Sequence, residues 1–283
     1  MSTTMTPPPP APASPAPPAA GPSGPSRAVA IVAMVLGAVV ILGTAATAAL
    51  GTVLSSAHRT DVVTTSDVSN VQSLDVHLSA GRLAIEFADV PKPQIEAQSS
   101  AASGPWTMHV DGTKLVVSSP DSRFGWQGLF GPSDQATLRL PTSMQGVDAS
   151  LTVAAGDLTA TGQFGAVRLD LQAGSARVDG SATDLVAKTS AGKGDLDLSD
   201  VNSADLTVTA GAMNAVLSGS QPSTTKVQVD AGALTLSLPQ GQYDVTSDVS
   251  AGHFDNRLGN HSGASSTVDV HVSAGQVTLQ PTD

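Results

Sequence analysis

Cysteine is absent from the 283 residues, which excludes disulfide staples, thiol nucleophiles and thiolate metal sites. Aromatics are scarce: five Phe, two Trp and one Tyr, too few to pave a carbohydrate-processing groove. Charge is low at 13% and unbalanced, with 13 Lys and Arg against 24 Asp and Glu. All 24 acidic residues follow position 57, with 12 of the 13 basic ones, so this part carries 12 − 24 = −12. Such a field repels nucleic acid and anionic membrane surfaces, and no nucleic-acid partner is expected. A cysteine-free chain is compatible with export when its fold buries enough surface without covalent staples.

The N-terminal segment lacks charge altogether. Its first 26 residues hold ten prolines and no ionisable side chain, and runs such as Pro7-Pro8-Pro9-Pro10 neither nucleate a helix nor pair in a sheet. Residues 1–27 are therefore expected to be a disordered, Pro-rich tail. Between Arg27 and His58 lie 30 uncharged residues, and roughly 20 apolar residues suffice to cross a bilayer as a helix. Residues 28–54 are expected to be a transmembrane helix. The rival reading is a cleaved signal peptide, with small residues at Thr47-Ala48-Ala49 and Ser55-Ser56-Ala57; the apolar run exceeds the usual signal core and a long tail precedes it. Arg27 and Arg59 flank the span almost symmetrically, so the positive-inside count is nearly tied. The acidic residues and the long remaining chain on the far side favour a cytoplasmic N-terminus and an extracellular C-terminal domain at the cell membrane. Residues 55–70 read as a linker and 71–283 as the exported domain.

What that domain has in abundance is the dipeptide Ala-Gly. Its glycines are Gly156, Gly174, Gly192, Gly211, Gly232, Gly252 and Gly275, at intervals of 18, 18, 19, 21, 20 and 23 residues. Gly81, in Ser79-Ala80-Gly81, stands alone upstream. A period near 20 suits one turn of a β-solenoid and is too short for helix pairs. Before each Ala-Gly, apolar and polar residues alternate, as in Val167, Leu169, Leu171 and Ala173 against Arg168, Asp170 and Gln172. This pattern marks a strand with one buried face.

After the glycine the inner positions shift, for example to Leu158 and Ala160, Leu196 and Leu198, or Leu234 and Leu236. The shift requires a corner at each glycine, where positive φ carries no Cβ penalty; the alanine is expected inside it. The residue before each Ala-Gly, often Ser or Thr, is expected to hydrogen-bond from turn to turn through its side chain.

The fold expected is thus all-β, a β-solenoid of stacked turns of about 20 residues, with 146–283 as the regular part. Residues 71–145 also read as strands, but with irregular spacing, and are expected to cap one end. Pro141 and Pro239 each close an alternating stretch, because proline cannot donate to a ladder.

The run Ala136-Thr137-Leu138-Arg139-Leu140-Pro141, then Leu151-Thr152-Val153-Ala154-Ala155-Gly156-Asp157-Leu158, then Ala-Gly at steady intervals, resembles the bacterial cell-envelope family called "putative adhesin", a domain of unknown function. The resemblance covers roughly residues 70–280. It implies a β-solenoid behind a membrane anchor and supplies no catalytic residues. The chain departs from the family in using Ala-Gly where Ser-Gly is common, followed by Asp only at Asp157.

No constellation points to catalysis. The loop 121–132 gathers Phe124, Trp126, Leu129 and Phe130 among glycines. It reads either as a partner-contact site or as a plug over an open sheet end, with the plug preferred. Eight aspartates between Asp157 and Asp205 suggest solubility rather than calcium, since Gly192-Lys193-Gly194-Asp195 lacks the tandem repetition of calcium-binding solenoids. His58, His77, His109, His253, His261 and His271 are scattered without ligand spacing, with His77 and His271 on outward strand positions. Serines lack an elbow motif and a matched base. No enzyme and no cofactor are expected. The function expected is an adhesin or envelope scaffold whose partners are the membrane and a cell-envelope protein or glycan. The alternatives are an envelope-stress sensor signalling through the proline-rich tail and, behind it, a carbohydrate-active enzyme.

Overall fold

The computed structural model describes residues 59–64, 68, 70–99, 104–120 and 134–282, all within one compact unit, Ser56–Asp283. The tail 1–27, the apolar segment 28–54 and the loop bearing Phe124, Trp126, Leu129 and Phe130 lie outside the described residues. Among the described residues no helix is long and apolar enough to cross a membrane.

The described part is all-β, a 19-stranded sheet. In chain order the first strands are β1 (Arg59–Thr64), β2 (Ser73–Leu78), β3 (Arg82–Ala88), β4 (Gln94–Ser99), β5 (Thr107–Asp111), β6 (Lys114–Ser118) and β7 (Gln135–Pro141). Next come β8 (Asp148–Val153), β9 (Gly156–Gln163), β10 (Ala166–Ser181), β11 (Asp184–Ser199), β12 (Ser203–Val208) and β13 (Ala212–Ser218). The last are β14 (Thr224–Val229), β15 (Ala233–Leu238), β16 (Tyr243–Val249), β17 (His253–Asn256), β18 (Ser266–Val272) and β19 (Gln276–Pro281).

Each Ala-Gly repeat makes one layer, a strand before the corner and a strand after it; in β10 and β11 a single strand runs through. Parallel ladders join β6, β2, β8, β10, β11, β12, β14, β18 and β16 in that order on the first side. On the second side the order is β7, β3, β9, β10, β11, β13, β15, β19 and β17. Inward residues stack in aliphatic columns, such as Leu151, Leu169, Ala187, Leu206, Val227 and Val270, all buried. Each large aliphatic side chain removed from water stabilises by about 1.5–3 kcal/mol, which the repeat multiplies layer by layer.

The eight corner glycines form one continuous column, Gly81, Gly156, Gly174, Gly192, Gly211, Gly232, Gly275 and Gly252. A Cβ on any of the last seven would strike the carbonyl oxygen of the glycine in the layer before it. At Gly81 the obstacle is the carbonyl of Asp134.

This corrects the expected reason for glycine. Only Gly81, Gly174 and Gly252 have left-handed φ, at 94°, 98° and 123°; at the other five the close approach of the next backbone is what demands it.

The alanine beside each glycine is also misplaced by the alternation. It points outward, exposed or half-buried, in every copy. The last inward residue lies three positions before the glycine, as at Val153 or Leu171, and the first inward one two positions after it, as at Leu158 or Ala176. Four residues are therefore spent on the bend.

Nor do the small polar residues before Ala-Gly build a side-chain ladder. Layer-to-layer bonds there are made by the backbone, as in Thr209 N–H to the Thr189 carbonyl (2.9 Å) and Asp230 N–H to the Val208 carbonyl (2.9 Å).

The sequence reading placed 71–145 together as an irregular cap, but β2 and β3 form a regular layer in register with β8 and β9. The antiparallel strands of this part are β5 on β6, β4 on β7, and β1 on β4. β1 falls inside the stretch read as linker, because the edge of β4 was open to pair with it. Pro141 ends β7 and Pro239 directly follows β15, as expected.

Both ends break sequence order. The layer β2/β3 sits between β6/β7 and β8/β9, and β18/β19 between β14/β15 and β16/β17. The inward residues explain the second crossing. β18 and β19 offer Val268, Val270, Val272, Val277 and Leu279, all buried, and suit a layer covered on both sides. β16 and β17 carry Ser247, in register with Val270, and Asn256, in register with Leu279. Sandwiching Ser247 would bury an unpaired hydroxyl at a cost of about 1–3 kcal/mol, so this layer belongs at the end, where Ser247 is exposed.

A loop unforeseen in the sequence covers half of that end. Asn260 Oδ1 accepts from Val245 N–H (3.1 Å) and Asn260 Nδ2 donates to the Val245 carbonyl (3.0 Å). His261 N–H bonds the Tyr243 carbonyl (2.8 Å), and Leu258 packs on the core. The amide thus takes the place of a further strand on an otherwise open edge.

Tyr243 lies beneath, 1% exposed, its hydroxyl donating to the Pro239 carbonyl at 2.7 Å. Burial pushes this phenol up to about 12. An acid whose folded pKa exceeds its unfolded value of about 10 stabilises the fold fully below that value and loses the contribution as pH rises through 12. Chemical denaturation at pH 9, 11 and 12 should show stability falling across this window. Tyr243→Phe should be less stable at pH 9 and show a shallower decline.

Candidate functional site

The eight aspartates clustered in sequence are divided by the fold. Asp170, Asp184 and Asp205 lie on the outward face of the first strands, in β10, β11 and β12; Asp157, Asp179, Asp195 and Asp197 lie on that of the second strands. Asp200 sits in the turn after β11 at φ 61°, where its Oδ1 accepts from the N–H and hydroxyl of Ser220 (both 3.3 Å). Strand alternation, which sends neighbours to opposite faces, and the corner, which turns the chain, disperse what the linear sequence gathers. Among the described residues no three His, Asp or Glu side chains are placed to hold a metal ion. His77 and His271 are exposed, as expected, and far apart in the layer order.

On the second-strand face the charged side chains other than Asp197 are paired with one another. Arg82 Nε reaches Asp157 Oδ2 at 3.3 Å, and the Ser175 hydroxyl donates to Asp157 Oδ1 at 2.6 Å. Arg177 donates two bonds of 2.8 Å to Asp179, and Lys193 one of 2.8 Å to Asp195. The Asp179 bonds, with Asp195 and Asp197 nearby, hold the Arg177 guanidinium above its ordinary pKa. Arg139 bridges Glu86 (2.9 Å) and Glu96 (3.1 Å), which raise it similarly. Partners two apart on one strand, such as Arg177 and Asp179, share a face because the side-chain period is two.

The first-strand face differs. Arg168, Lys188 and Lys226 are exposed, and their side chains make no ion pair or hydrogen bond with any described residue. Two of them are interleaved with carboxylates in adjacent layers, Lys188 in register with Asp170 and Lys226 with Asp205 and Asp269, while Arg168 is in register with Ser150 and Val186. The result is a zwitterionic hydrogen-bonding surface over an aliphatic interior. Sequence reading missed it because the contrast between the faces is a matter of pairing, which residue identity does not display.

Three buried polar atoms have no hydrogen-bond partner among the described residues: Trp106 Nε1, Thr189 Oγ1 and Thr225 Oγ1. The threonines are single interruptions in otherwise aliphatic columns. Thr189 lies between Leu171 and Val208, and Thr225 between Ala204 and Val268.

No family model matches the chain, and no curated protein does. Solved structures are similar to it at low identity. One is described as a putative cell adhesion protein from Clostridium sporogenes, with 12% identity and a TM-score of 0.39, covering 80% of this chain and all of its own (100%). Another, a putative adhesin from Bacteroides fragilis, has 12% identity and a TM-score of 0.42, covering 78% of this chain and 97% of its own. A third, a putative adhesin from Parabacteroides distasonis, has 10% identity and a TM-score of 0.38, covering 81% and 98%. The latter two bear the same description as the family that the sequence resembles. Likeness at this level carries no residue correspondence.

Proposed function

We propose that the chain is a single-pass envelope protein whose stacked layers form a β-solenoid and act as a non-catalytic adhesin or scaffold. In this reading residues 1–27 are a cytoplasmic tail, 28–54 the membrane span and the domain beyond it extracellular. The apolar, uncharged run 28–54 supports the anchor, and parallel pairing at nearly constant sequence steps supports the solenoid. The observation that carries the binding role is the contrast between the faces. One pairs each of its basic side chains with a carboxylate, while the other keeps the side chains of Arg168, Lys188 and Lys226 unpaired and open to a polar partner. A cell-envelope protein or a carboxylate-bearing glycan fits that chemistry, since charge-assisted hydrogen bonds are the strong ones.

The test uses cells carrying the full chain. Changing Arg168, Lys188 and Lys226 together to Gln should abolish surface attachment and recovery of a crosslinked envelope partner, with thermal stability unchanged. Arg177→Gln, on the self-paired face, should leave attachment intact. Equal attachment by all variants would sink the reading. Deleting residues 1–26 should leave an adhesin working, whereas loss of function on that deletion would favour a stress sensor.

A further inference from the structure

The crossed layer order at the C-terminal end has a consequence independent of the adhesin reading. Among the described strands β16 and β17 pair only with β18 and β19, which in turn fill the space between them and β14/β15. Adjacent layers are about 4.8 Å apart, so taking out β18/β19 would leave two parallel sheet edges facing one another across roughly twice that distance. The penultimate layer in the chain is thus held by the ultimate one.

We propose that residues 265–282 are an exchangeable insert, and that the slot they occupy accepts the same segment from a second copy of this chain. Three observations carry this. The insert is held without covalent ties: by two ladders on each side, by stacked Val268, Val270, Val272, Val277 and Leu279, and by Thr282. The Thr282 N–H bonds the Leu238 carbonyl (2.7 Å) and its hydroxyl the Leu217 carbonyl (2.9 Å).

Next, the connection into the insert divides cleanly. Asn260, His261 and Gly263 are fastened to β16, the last by its N–H to Asp244 Oδ2 (2.8 Å), while Ser265 beyond them is exposed. The pivot therefore lies at 264–265, and the cap stays with the slot.

Finally, the slot is selective. Its walls present Thr225, Val227, Val229, Leu234 and Leu236 on one side and Val245 and Phe254 on the other. An occupant must therefore be two short strands joined by a glycine corner, with an inward row that is apolar throughout, as in β18 and β19. The segment 243–256 cannot serve, because Ser247 and Asn256 would be buried. Exchange of an identical element at a hinge is a low-cost route to dimers.

The experiment uses the full chain with a protease recognition sequence inserted between Gly263 and Ala264. After cutting, the 265–283 fragment should co-elute with the remainder and exchange for a labelled synthetic peptide of residues 265–283, standing for the segment of a second copy. Hydrogen-exchange protection of β16 and β17 should follow slot occupancy, falling about a hundredfold or more when the slot empties. Failure of the peptide to bind, or protection of β16 and β17 with the slot empty, would overturn the proposal. In the uncut chain, Val270→Asp should deprotect β16 to β19 together while β10 to β13 stay protected. If β16 and β17 keep their protection there, the layer closes without the insert and the proposal fails.

Discussion

Gly174→Ala is expected to lower the melting temperature by about 10 °C or more, a loss of at least roughly 4 kcal/mol at 2–4 °C per kcal/mol for a domain of this size. Two penalties coincide. Gly174 has φ 98°, where an L side chain is strained, and its Cβ would strike the carbonyl oxygen of Gly156 with the Gly156 nitrogen at 2.7 Å. Neither obstacle is the far end of a flexible side chain, so relief requires the layers themselves to part. Two companions separate the causes. Gly192→Ala has no left-handed φ to strain but meets the Gly174 carbonyl oxygen at 2.6 Å, so it should remain severely destabilising. Gly112→Ala, in the turn between β5 and β6, has φ 60° and nothing within 4 Å, so it should cost only about 1 kcal/mol. If Gly192→Ala and Gly112→Ala cost the same in thermal melts, close approach between layers is not what the corner requires.

The second large effect runs in the opposite direction. Thr189→Val and Thr225→Val together should raise the melting temperature by several degrees, each removing a buried hydroxyl whose unmade hydrogen bond costs about 1–3 kcal/mol. The shape is retained, and the neighbours in register, Leu171 and Val208 for Thr189 and Ala204 and Val268 for Thr225, are all apolar. The sites lie in different columns and should add within a few tenths of a kcal/mol. A double variant no more stable than the parent in calorimetry would mean that the hydroxyls are satisfied in solution. The same substitution at Thr207, on the outward face of β12, should change little, since no buried polar group is removed.

The sequence by itself determined the repeat, the strand phases after each corner and the inward aliphatic rows, for a local reason. Alternation has a period of two and needs only neighbours in the chain, and glycine marks sharp bends whatever surrounds it. It also marked Gly81 as kin to the later corners, although 75 residues separate Gly81 from Gly156. Tertiary structure alone decided which force demands the glycines. The carbonyl that excludes a Cβ at Gly192 belongs to Gly174, a whole layer away. The same holds for the outward turn of the alanines, because alternation read through the bend at Leu171-Gln172-Ala173 assigns the wrong side. The layer order at the C-terminal end was decided by which inward rows can bear cover on both faces, as Val268, Val270 and Val272 can and Ser247 cannot. The division of the aspartates between two faces, and the free state of Arg168, Lys188 and Lys226 against the paired state of Arg177, follow from stacking distances between layers. Those distances come into being only when segments far apart in the chain lie in register.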